Sequence, residues 1–247
     1  MSEAAAVNLF CLPYAGASAA VFREWRSKVP AWINPIPLHL PARGIRQQMA
    51  PIHQWPLLID LLMADVMPHL DRPFAIFGHS MGALIAVELA HAIRARLRQT
   101  PILLCASACE APAHRQWNDG WLSCSREDLL AELEGLNGTL GDLLANEEFM
   151  ALVLPMIRAD FHLCGTYRRR ERAPLASQLL VLAGSRDKPH LRDPELLRSW
   201  SSEVSGVCRT EIFDGDHFFM NSHRQEVVDR LVAALSDASV ASRCALA

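Results

Sequence analysis

The stretch Phe74-Ala-Ile-Phe-Gly-His-Ser-Met-Gly-Ala83 determines the fold that we expect for the rest of the chain. It places the pattern G-x-S-x-G directly after an apolar run of strand length and directly before a helical pattern. Gly78 and Gly82 allow a sharp turn and a close approach of neighbouring elements, which holds Ser80 strained and exposed. The helix after the turn offers backbone N–H groups to a developing negative charge. The stretch therefore predicts that Ser80 is a nucleophile.

A chance match to this pattern is the alternative interpretation. A bare five-residue match somewhere in a chain with 12 glycines has a chance of roughly a few per cent. The strand before the pattern and the helix after it reduce that chance sharply. His79 lies inside the turn, and we expect its side chain to point away from Ser80, which favours a packing role over that of general base.

Apolar runs of strand length alternate with helical patterns along the chain. The predicted strands are Val7–Leu12, Ile33–Leu38, Phe74–Phe77, Ile102–Ala106, Leu179–Ala183 and Cys208–Phe213. The predicted helices between and after them are Ala19–Lys28, Leu57–Met67, Ala83–Leu97, Pro194–Glu203 and Glu226–Leu235. Strands that are apolar on both faces are typical of a parallel sheet covered by helices. We therefore expect one α/β domain with a mostly parallel sheet over residues 1–247, an ordinary length for such a domain.

The alternation breaks from about Ala111 to Arg172. Two helical patterns, Ser125–Leu136 and Glu147–Phe161, follow one another there with no strand between them. We interpret residues 111–172 as a helical lid inserted over one end of the sheet. Asp160 belongs to this insertion, so we expect Asp160→Asn to leave the chemistry unaffected. The last segment, Ser236–Ala247, is small and polar and is expected to be frayed or loosely packed.

A nucleophilic serine needs a base within hydrogen-bond reach, and in sites of this type the chain order is Ser, then Asp or Glu, then His. His217 is the expected base, because it lies on the loop between the last predicted strand and the last helix. Asp187 is the expected acid, because it is the carboxylate in the turn after the fifth predicted strand. Asp214 and Asp216 are the alternatives, but they are too close in sequence to reach the far nitrogen of His217. Three further histidines lie in or at the ends of predicted helices and are expected to be surface or structural residues: His91, His162 and His223.

An oxyanion formed at the nucleophile needs two backbone N–H donors. Met81, the residue after Ser80, is expected to supply one. The other should come from the small-residue loop Leu12-Pro-Tyr-Ala-Gly-Ala-Ser18, which follows the first predicted strand. We assign it to Ala15, with the neighbouring Tyr14 as the alternative. The loop also fits an ordinary turn before a helix, with its last serine as N-cap, and both interpretations can hold together.

Composition and charge exclude several other classes. A net charge of −3 gives no general attraction to nucleic acid or to an anionic membrane. The longest uncharged stretch, Ala4–Phe22, contains polar residues and Pro13 and follows no basic residue, so it predicts neither a signal peptide nor a membrane span. The 7 cysteines are scattered without a C-x-x-C pair, which indicates reduced thiols in a cytoplasmic protein and no zinc site. We expect no metal or organic cofactor.

With these residues assigned, the chain resembles the type II (external) thioesterases that accompany modular polyketide and nonribosomal peptide synthases. The motifs that carry the resemblance span nearly the whole length: LPYAGAS (Leu12–Ser18), LPARG (Leu40–Gly44), DRPFAIFGHSMGA (Asp71–Ala83), LPMIRADF (Leu154–Phe161), GSRD (Gly184–Asp187) and GDHFF (Gly215–Phe219). The chain departs from the family pattern at three positions, where Ala17 and Ala42 replace glycines and Gly165 replaces an acidic residue.

The resemblance implies an α/β-hydrolase fold with a lid and a defined reaction. Acyl groups from stalled or misprimed units would be hydrolysed from the phosphopantetheine arm of an acyl or peptidyl carrier protein, through an acyl-enzyme intermediate on Ser80. A medium-chain fatty-acyl thioesterase and a small-ester carboxylesterase remain alternatives, because a fold and a nucleophile do not fix the leaving group. A non-catalytic synthase adaptor is a further alternative, against which the complete Ser, Asp and His set argues.

A basic cluster ends the predicted lid. Its members are Arg168, Arg169, Arg170 and Arg172. The cluster could face an acidic carrier protein or the phosphate of its arm. The alternative is a solvated loop, which is what most short charge runs are.

Overall fold

The computed structural model describes residues 6–135 and 147–244. Six strands form one parallel sheet in the spatial order β2-β1-β3-β4-β5-β6. The strands are β1 (Val7–Leu12), β2 (Ile33–Pro37), β3 (Phe74–His79), β4 (Leu103–Ser107), β5 (Gln178–Gly184) and β6 (Cys208–Phe213). The prediction of a mostly parallel sheet is confirmed, and each predicted strand is present within a few residues of its expected bounds.

Helices connect the strands and cover both faces of the sheet. They are α1 (Trp55–Val66), α2 (Met81–Leu97), α3 (Arg126–Glu134), α4 (Glu147–Gly165), α5 (Pro189–Arg192), α6 (Pro194–Arg198), α7 (Phe219–Ser222) and α8 (Arg224–Cys244). Short 3₁₀ helices lie at Ala19–Ser27, Gly44–Arg46, Met67–His69, Pro112–His114, Gly120–Leu122 and Ser199–Glu203. Within the described ranges, no helix has the length and apolar character needed to cross a membrane.

Alternate residues of the central strands β1, β3, β4 and β5 pack into two separate cores, one on each face of the sheet. Phe10 of β1 packs with α1 and α2 on one face, whereas Leu9 packs with α8 and the helix Ala19–Ser27 on the other. Both side chains are fully buried. Because both faces are covered there, the central strands carry apolar side chains at nearly every position, whereas the edge strand β6 is exposed at Arg209, Thr210 and Ile212.

Two segments that were predicted as helices contain 3₁₀ helix. The segment predicted as Ala19–Lys28 forms a 3₁₀ helix, and its buried residues, Ala19, Phe22 and Trp25, recur every three positions, the period of that helix. The segment predicted as Pro194–Glu203 divides into α6 and a 3₁₀ turn. In both cases an apolar spacing of three or four residues fits either kind of helix, so the sequence pattern alone could not distinguish them.

The expectation of a frayed C-terminal segment is wrong for most of that segment. Helix α8 continues without a break to Cys244, well beyond the predicted end at Leu235. Ala238 is 2% exposed and packs in the core that α8 forms with Leu9, which explains why the helix continues. Residues 245–247 lie outside the described ranges.

The stretch between β4 and β5 carries helices and, in its described part, no strand. The predicted helix Ser125–Leu136 is α3, which ends at Glu134, while Leu136 itself lies outside the described ranges. The predicted helix Glu147–Phe161 is α4, which extends to Gly165. Apolar side chains of α3 and α4 form a small core of their own with the following buried members: Leu129, Leu133, Met156, Ile157 and Phe161.

The sheet topology places two loops side by side. From β1 the chain crosses to β2 on one side, and from β3 it crosses to β4 on the other, although β1 and β3 are hydrogen-bonded neighbours. The loops that leave the carboxyl ends of these two strands therefore diverge and leave a crevice between them. Such a switch point is where parallel α/β sheets bind ligands. The loop Pro13–Ser18 follows β1 there, and Ser80 follows β3.

Candidate active site

Ser80 is held in a strained backbone conformation at the turn between β3 and α2. Its φ is 54° and its ψ is −118°, a region that non-glycine residues rarely adopt. The Ser80 N–H donates to the carbonyl of Ser107 in the neighbouring strand (2.7 Å). A Cβ atom at Gly78 would overlap the backbone of Gly82, and one at Gly82 would overlap the backbone of Leu12. Both glycines of the motif are therefore required by close backbone approach.

The three side chains predicted to form a triad lie in one hydrogen-bonded chain. His217 Nε2 is 3.0 Å from Ser80 Oγ, and His217 Nδ1 is 2.9 Å from Asp187 Oδ2. The other carboxylate oxygen of Asp187 accepts a hydrogen bond from the Lys188 N–H (2.7 Å). A carboxylate facing Nδ1 keeps the proton of a neutral imidazole on that nitrogen, so Nε2 is left with a lone pair directed at the serine hydroxyl.

The alternative acids lie elsewhere. Asp214 is exposed and pairs with Arg186. Asp216 accepts a hydrogen bond from the Phe218 N–H (2.8 Å) and so shapes the loop that carries His217. The other histidines considered have partners of their own: His91 with Arg94, His162 with the ring of His53, and His223 with Ser222.

His79 links the central strands to the loop that carries the base. Its Nε2 faces the carbonyl oxygen of His217 (2.9 Å), so Nε2 carries the proton and donates it, while Nδ1 accepts from the Ser107 hydroxyl (2.8 Å). Burial, followed by the nearby His217, lowers the pKa of His79 well below its usual value. The side chain is therefore neutral and holds the backbone of His217 in place, in agreement with the predicted packing role.

The loop after β1 presents backbone N–H groups beside the serine. Its Gly16 N–H is bonded to Asp160 (2.8 Å) and its Ala17 N–H to the carbonyl of Tyr14 (3.1 Å). No partner for the N–H groups of Tyr14, Ala15 or Met81 is found in residues 6–135 and 147–244. All three residues line the cavity at Ser80. Ala15 and Met81 therefore remain the predicted donors, and Tyr14 remains the alternative.

A cavity of about 400 Å³ opens from Ser80 and His217. This volume lies within the range of small-molecule sites, roughly 300–1,000 Å³. Its wall is mostly apolar: α3 and α4 contribute Leu133, Met156, Ile157 and Phe161, α2 contributes Leu84, and α5 contributes Leu191. Such a wall suits the carbon chain of an acyl group. No cluster of three or more His, Cys, Asp or Glu side chains that could hold a metal ion occurs in the described parts of the chain.

Two departures from the family pattern have structural consequences. A Cβ atom at Gly165 would overlap the backbone of Asn118, whose N–H donates to the Gly165 carbonyl (2.8 Å). An acidic residue there would push this loop away from α4. Ala42 has a φ of 62°, in the left-handed region that favours glycine, so its alanine is strained.

The arginine cluster after α4 is largely engaged within the protein. Three of its members have partners: Arg168 lies over the Trp117 ring at 4.1 Å, Arg169 donates to Glu203 (2.7 Å), and Arg172 pairs with Glu88. Arg170 is exposed, and its side chain has no hydrogen bond or ion pair in the part of the chain that the structure describes. Carrier contact by the cluster remains a prediction, and Arg170 is the member free to make it.

Comparisons with known proteins show the family of this chain. The thioesterase domain family profile matches residues 7–235. Linear gramicidin dehydrogenase LgrE of Brevibacillus parabrevis is 33% identical, covering 98% of this chain and 93% of its own length. Gramicidin S biosynthesis protein GrsT of Aneurinibacillus migulanus is 31% identical, covering 93% of this chain and 89% of its own length.

Solved structures give the same result for the fold. The type II thioesterase BorB from the borrelidin biosynthetic cluster superposes with a TM-score of 0.84 at 30% identity, covering 95% of this chain and 94% of its own. More distant α/β-hydrolases share the fold as well. The chain therefore belongs to the thioesterase family, with the α/β-hydrolase fold, and its resemblance to the type II thioesterases of polyketide and nonribosomal peptide pathways is confirmed.

Proposed function

We propose that this chain is a serine thioesterase that removes acyl groups from the phosphopantetheine arm of acyl or peptidyl carrier proteins. The observation that carries the proposal is the hydrogen-bonded chain from Ser80 through His217 to Asp187, which opens into an apolar cavity. A thioesterase needs these two elements together, a nucleophile with its base and a place for the acyl chain.

Acylation follows from the geometry of the three side chains. His217 Nε2 takes the proton of Ser80 as Oγ bonds to the thioester carbonyl carbon, and the electron pair of the carbonyl moves to its oxygen. The N–H groups of Ala15 and Met81 bind that oxyanion. Collapse of the tetrahedral intermediate breaks the C–S bond, and the imidazolium returns its proton to the thiol that leaves. Asp187 stabilises the imidazolium while it exists.

Deacylation repeats these steps with water in place of the serine. His217 takes a proton from water, the oxygen attacks the ester carbon, and the same two N–H groups hold the second oxyanion. The bond to Ser80 then breaks, and Oγ regains the proton as the free acid leaves. Ser, His and Asp supply the whole reaction, so the proposal requires no metal or organic cofactor.

The carrier-bound substrate is inferred from the relatives of this chain. A type II thioesterase from the yersiniabactin NRPS/PKS pathway and GrsT of gramicidin S biosynthesis both resemble this chain over most of its length. We propose that residues 111–172 form a lid, because α3 and α4 supply much of the cavity wall. A cytoplasmic location is also proposed, because the six cysteines whose side chains the structure describes are free thiols.

Hydrolysis of one acyl group presented in three ways tests the proposal. The acyl group is offered on a carrier protein, on a short thiol and as an oxygen ester, and the released acid is measured by mass spectrometry with Ser80→Ala as the control. We expect Ser80-dependent release that is fastest from the carrier. Equal rates of release from the oxygen ester would instead indicate a carboxylesterase. Equal rates from the carrier protein and from the short thiol would indicate a hydrolase of free acyl thioesters.

An adaptor role without catalysis has its own test. An adaptor without activity would release nothing and would resist labelling of Ser80 by a fluorophosphonate. The dehydrogenase name of LgrE is not extended to this chain, because its sequence contains no G-x-G-x-x-G dinucleotide fingerprint.

A further inference from the structure

A buried ion pair joins helix α4 to the segment after β2. Arg43 Nη1 is 2.6 Å from Asp160 Oδ2, and Arg43 Nη2 is 2.7 Å from Asp160 Oδ1. The two side chains are only 7% and 3% exposed. This is the two-pronged geometry that makes Arg–carboxylate pairs strong and directional. Asp160 is therefore fixed in position by more than the packing of its own helix.

The same carboxylate also holds the loop after β1. Asp160 Oδ2 accepts a hydrogen bond from the Gly16 N–H (2.8 Å). Arg43 donates in addition to the carbonyls of Ala17 (3.3 Å) and Pro41 (2.9 Å). The Gly16 N–H and the Ala17 carbonyl, which flank the peptide between these two residues, are thus both held by hydrogen bonds. Gly16 has a φ of 79°, a conformation that glycine enters and leaves easily, so the loop depends on such external contacts.

We propose that Asp160, supported by Arg43, is a positioning residue that fixes the Ala15 N–H in the oxyanion hole. The inference rests on the proposed function, because it assumes an oxyanion at Ser80. The peptide that follows Ala15 ends in the Gly16 N–H, so anchoring that N–H restricts the orientation of the Ala15 backbone. Helix α4 both walls the acyl cavity and carries Asp160, so a displaced α4 opens the cavity and releases the oxyanion loop together.

A transition-state mimic separates this role from a general effect on folding. Ser80 Oγ adds to the carbonyl carbon of an alkyl trifluoromethyl ketone, the serine proton moves to His217, and the carbonyl oxygen becomes an oxyanion in the hole. The corresponding alkyl alcohol fills the same cavity without forming one. Wild-type protein should bind the ketone at least about 100-fold more tightly than the alcohol.

Asp160→Asn should weaken ketone binding about 10- to 100-fold, because displaced donors stabilise the oxyanion poorly, and should change alcohol binding less than twofold. The kcat for a small acyl thioester should fall by a similar factor at nearly constant KM. The double variant Arg43→Gln/Asp160→Asn, which leaves no unpaired buried charge, should show the same selective loss even where the single variant folds poorly.

Glu88→Gln is the matched control. It breaks the partly buried pair with Arg172, neither member of which lines the cavity at Ser80, and it should leave the ratio of ketone to alcohol affinity unchanged. Unchanged ketone binding in Asp160→Asn, or an equal loss for ketone and alcohol, would overturn the positioning role. A wild-type protein that fails to prefer the ketone would instead overturn the proposed function, so the two failures are distinguishable.

Discussion

Replacing Asp187 by Asn tests whether His217 is the base, because it changes which ring nitrogen of His217 carries the proton. Asp187 Oδ1 accepts from the Lys188 N–H at 2.7 Å, and Oδ2 faces His217 Nδ1 at 2.9 Å. An asparagine has a single oxygen, which the Lys188 N–H will hold, so its NH₂ group turns toward Nδ1. The imidazole must then carry its proton on Nε2, where it faces Ser80 and cannot accept a proton. We expect kcat/KM to fall about 10⁴-fold, equivalent to about 5 kcal/mol of transition-state stabilisation.

The assay is release of a free thiol from a small acyl thioester, followed with a thiol reagent. Asp214→Asn is the matched control, because this carboxylate lies on the same loop as His217 but is exposed and paired with Arg186. It should change kcat/KM less than about threefold, as exposed pairs contribute little. A loss below tenfold for Asp187→Asn, or an equal loss for Asp214→Asn, would refute the assignment of the acid.

Three further predictions concern stability and carrier recognition. Burial and, to a smaller extent, Arg172 lower the pKa of His91 to about 3, below its value in the unfolded chain. The contribution of neutral His91 to the free energy of unfolding is therefore complete above about pH 6.5 and falls as the pH drops. In urea unfolding, the loss of stability between pH 7 and pH 5 should be about 2 kcal/mol smaller for His91→Leu than for the wild type. Calorimetry should show that Ala42→Gly stabilises the protein by about 0.5–1 kcal/mol, because glycine has no Cβ atom to strain the left-handed backbone at this position. Arg170→Ser should raise KM about two- to tenfold for acyl-carrier but not for a small acyl thiol, with a smaller effect at high salt; equal effects on both substrates would contradict carrier contact.

The sheet and the candidate triad could be predicted because their signals are local. Ser80 follows an apolar strand within a turn that only glycines at two fixed positions allow, so five residues define both the turn and the nucleophile. His217 and Asp187 each lie in the loop after a strand, and a parallel sheet brings such loops to one edge. The strand pattern therefore predicts that residues far apart in sequence lie close together in the fold.

The contacts that the sequence could not show depend on side chains that meet across elements. Arg43 and Asp160 are 117 residues apart, and neither strand nor helix periodicity relates them. The only signal was that each lies inside a motif of the family, LPARG and LPMIRADF. The expectation that Asp160→Asn leaves the chemistry unaffected is replaced by the opposite prediction, because the carboxylate contacts the Gly16 N–H. Pairing of Arg169 with Glu203 was hidden in the same way.

Trapping the acyl-enzyme tests the central claim most directly. The protein is mixed with an excess of acyl-carrier, quenched in acid within the first turnover and digested, and the peptides are analysed by mass spectrometry. The account predicts the mass of the acyl group on the peptide that contains Ser80, and its absence in Ser80→Ala together with a loss of turnover of about 10⁴-fold or more. An acyl group on another residue, or turnover by Ser80→Ala near the wild-type rate, would contradict the account.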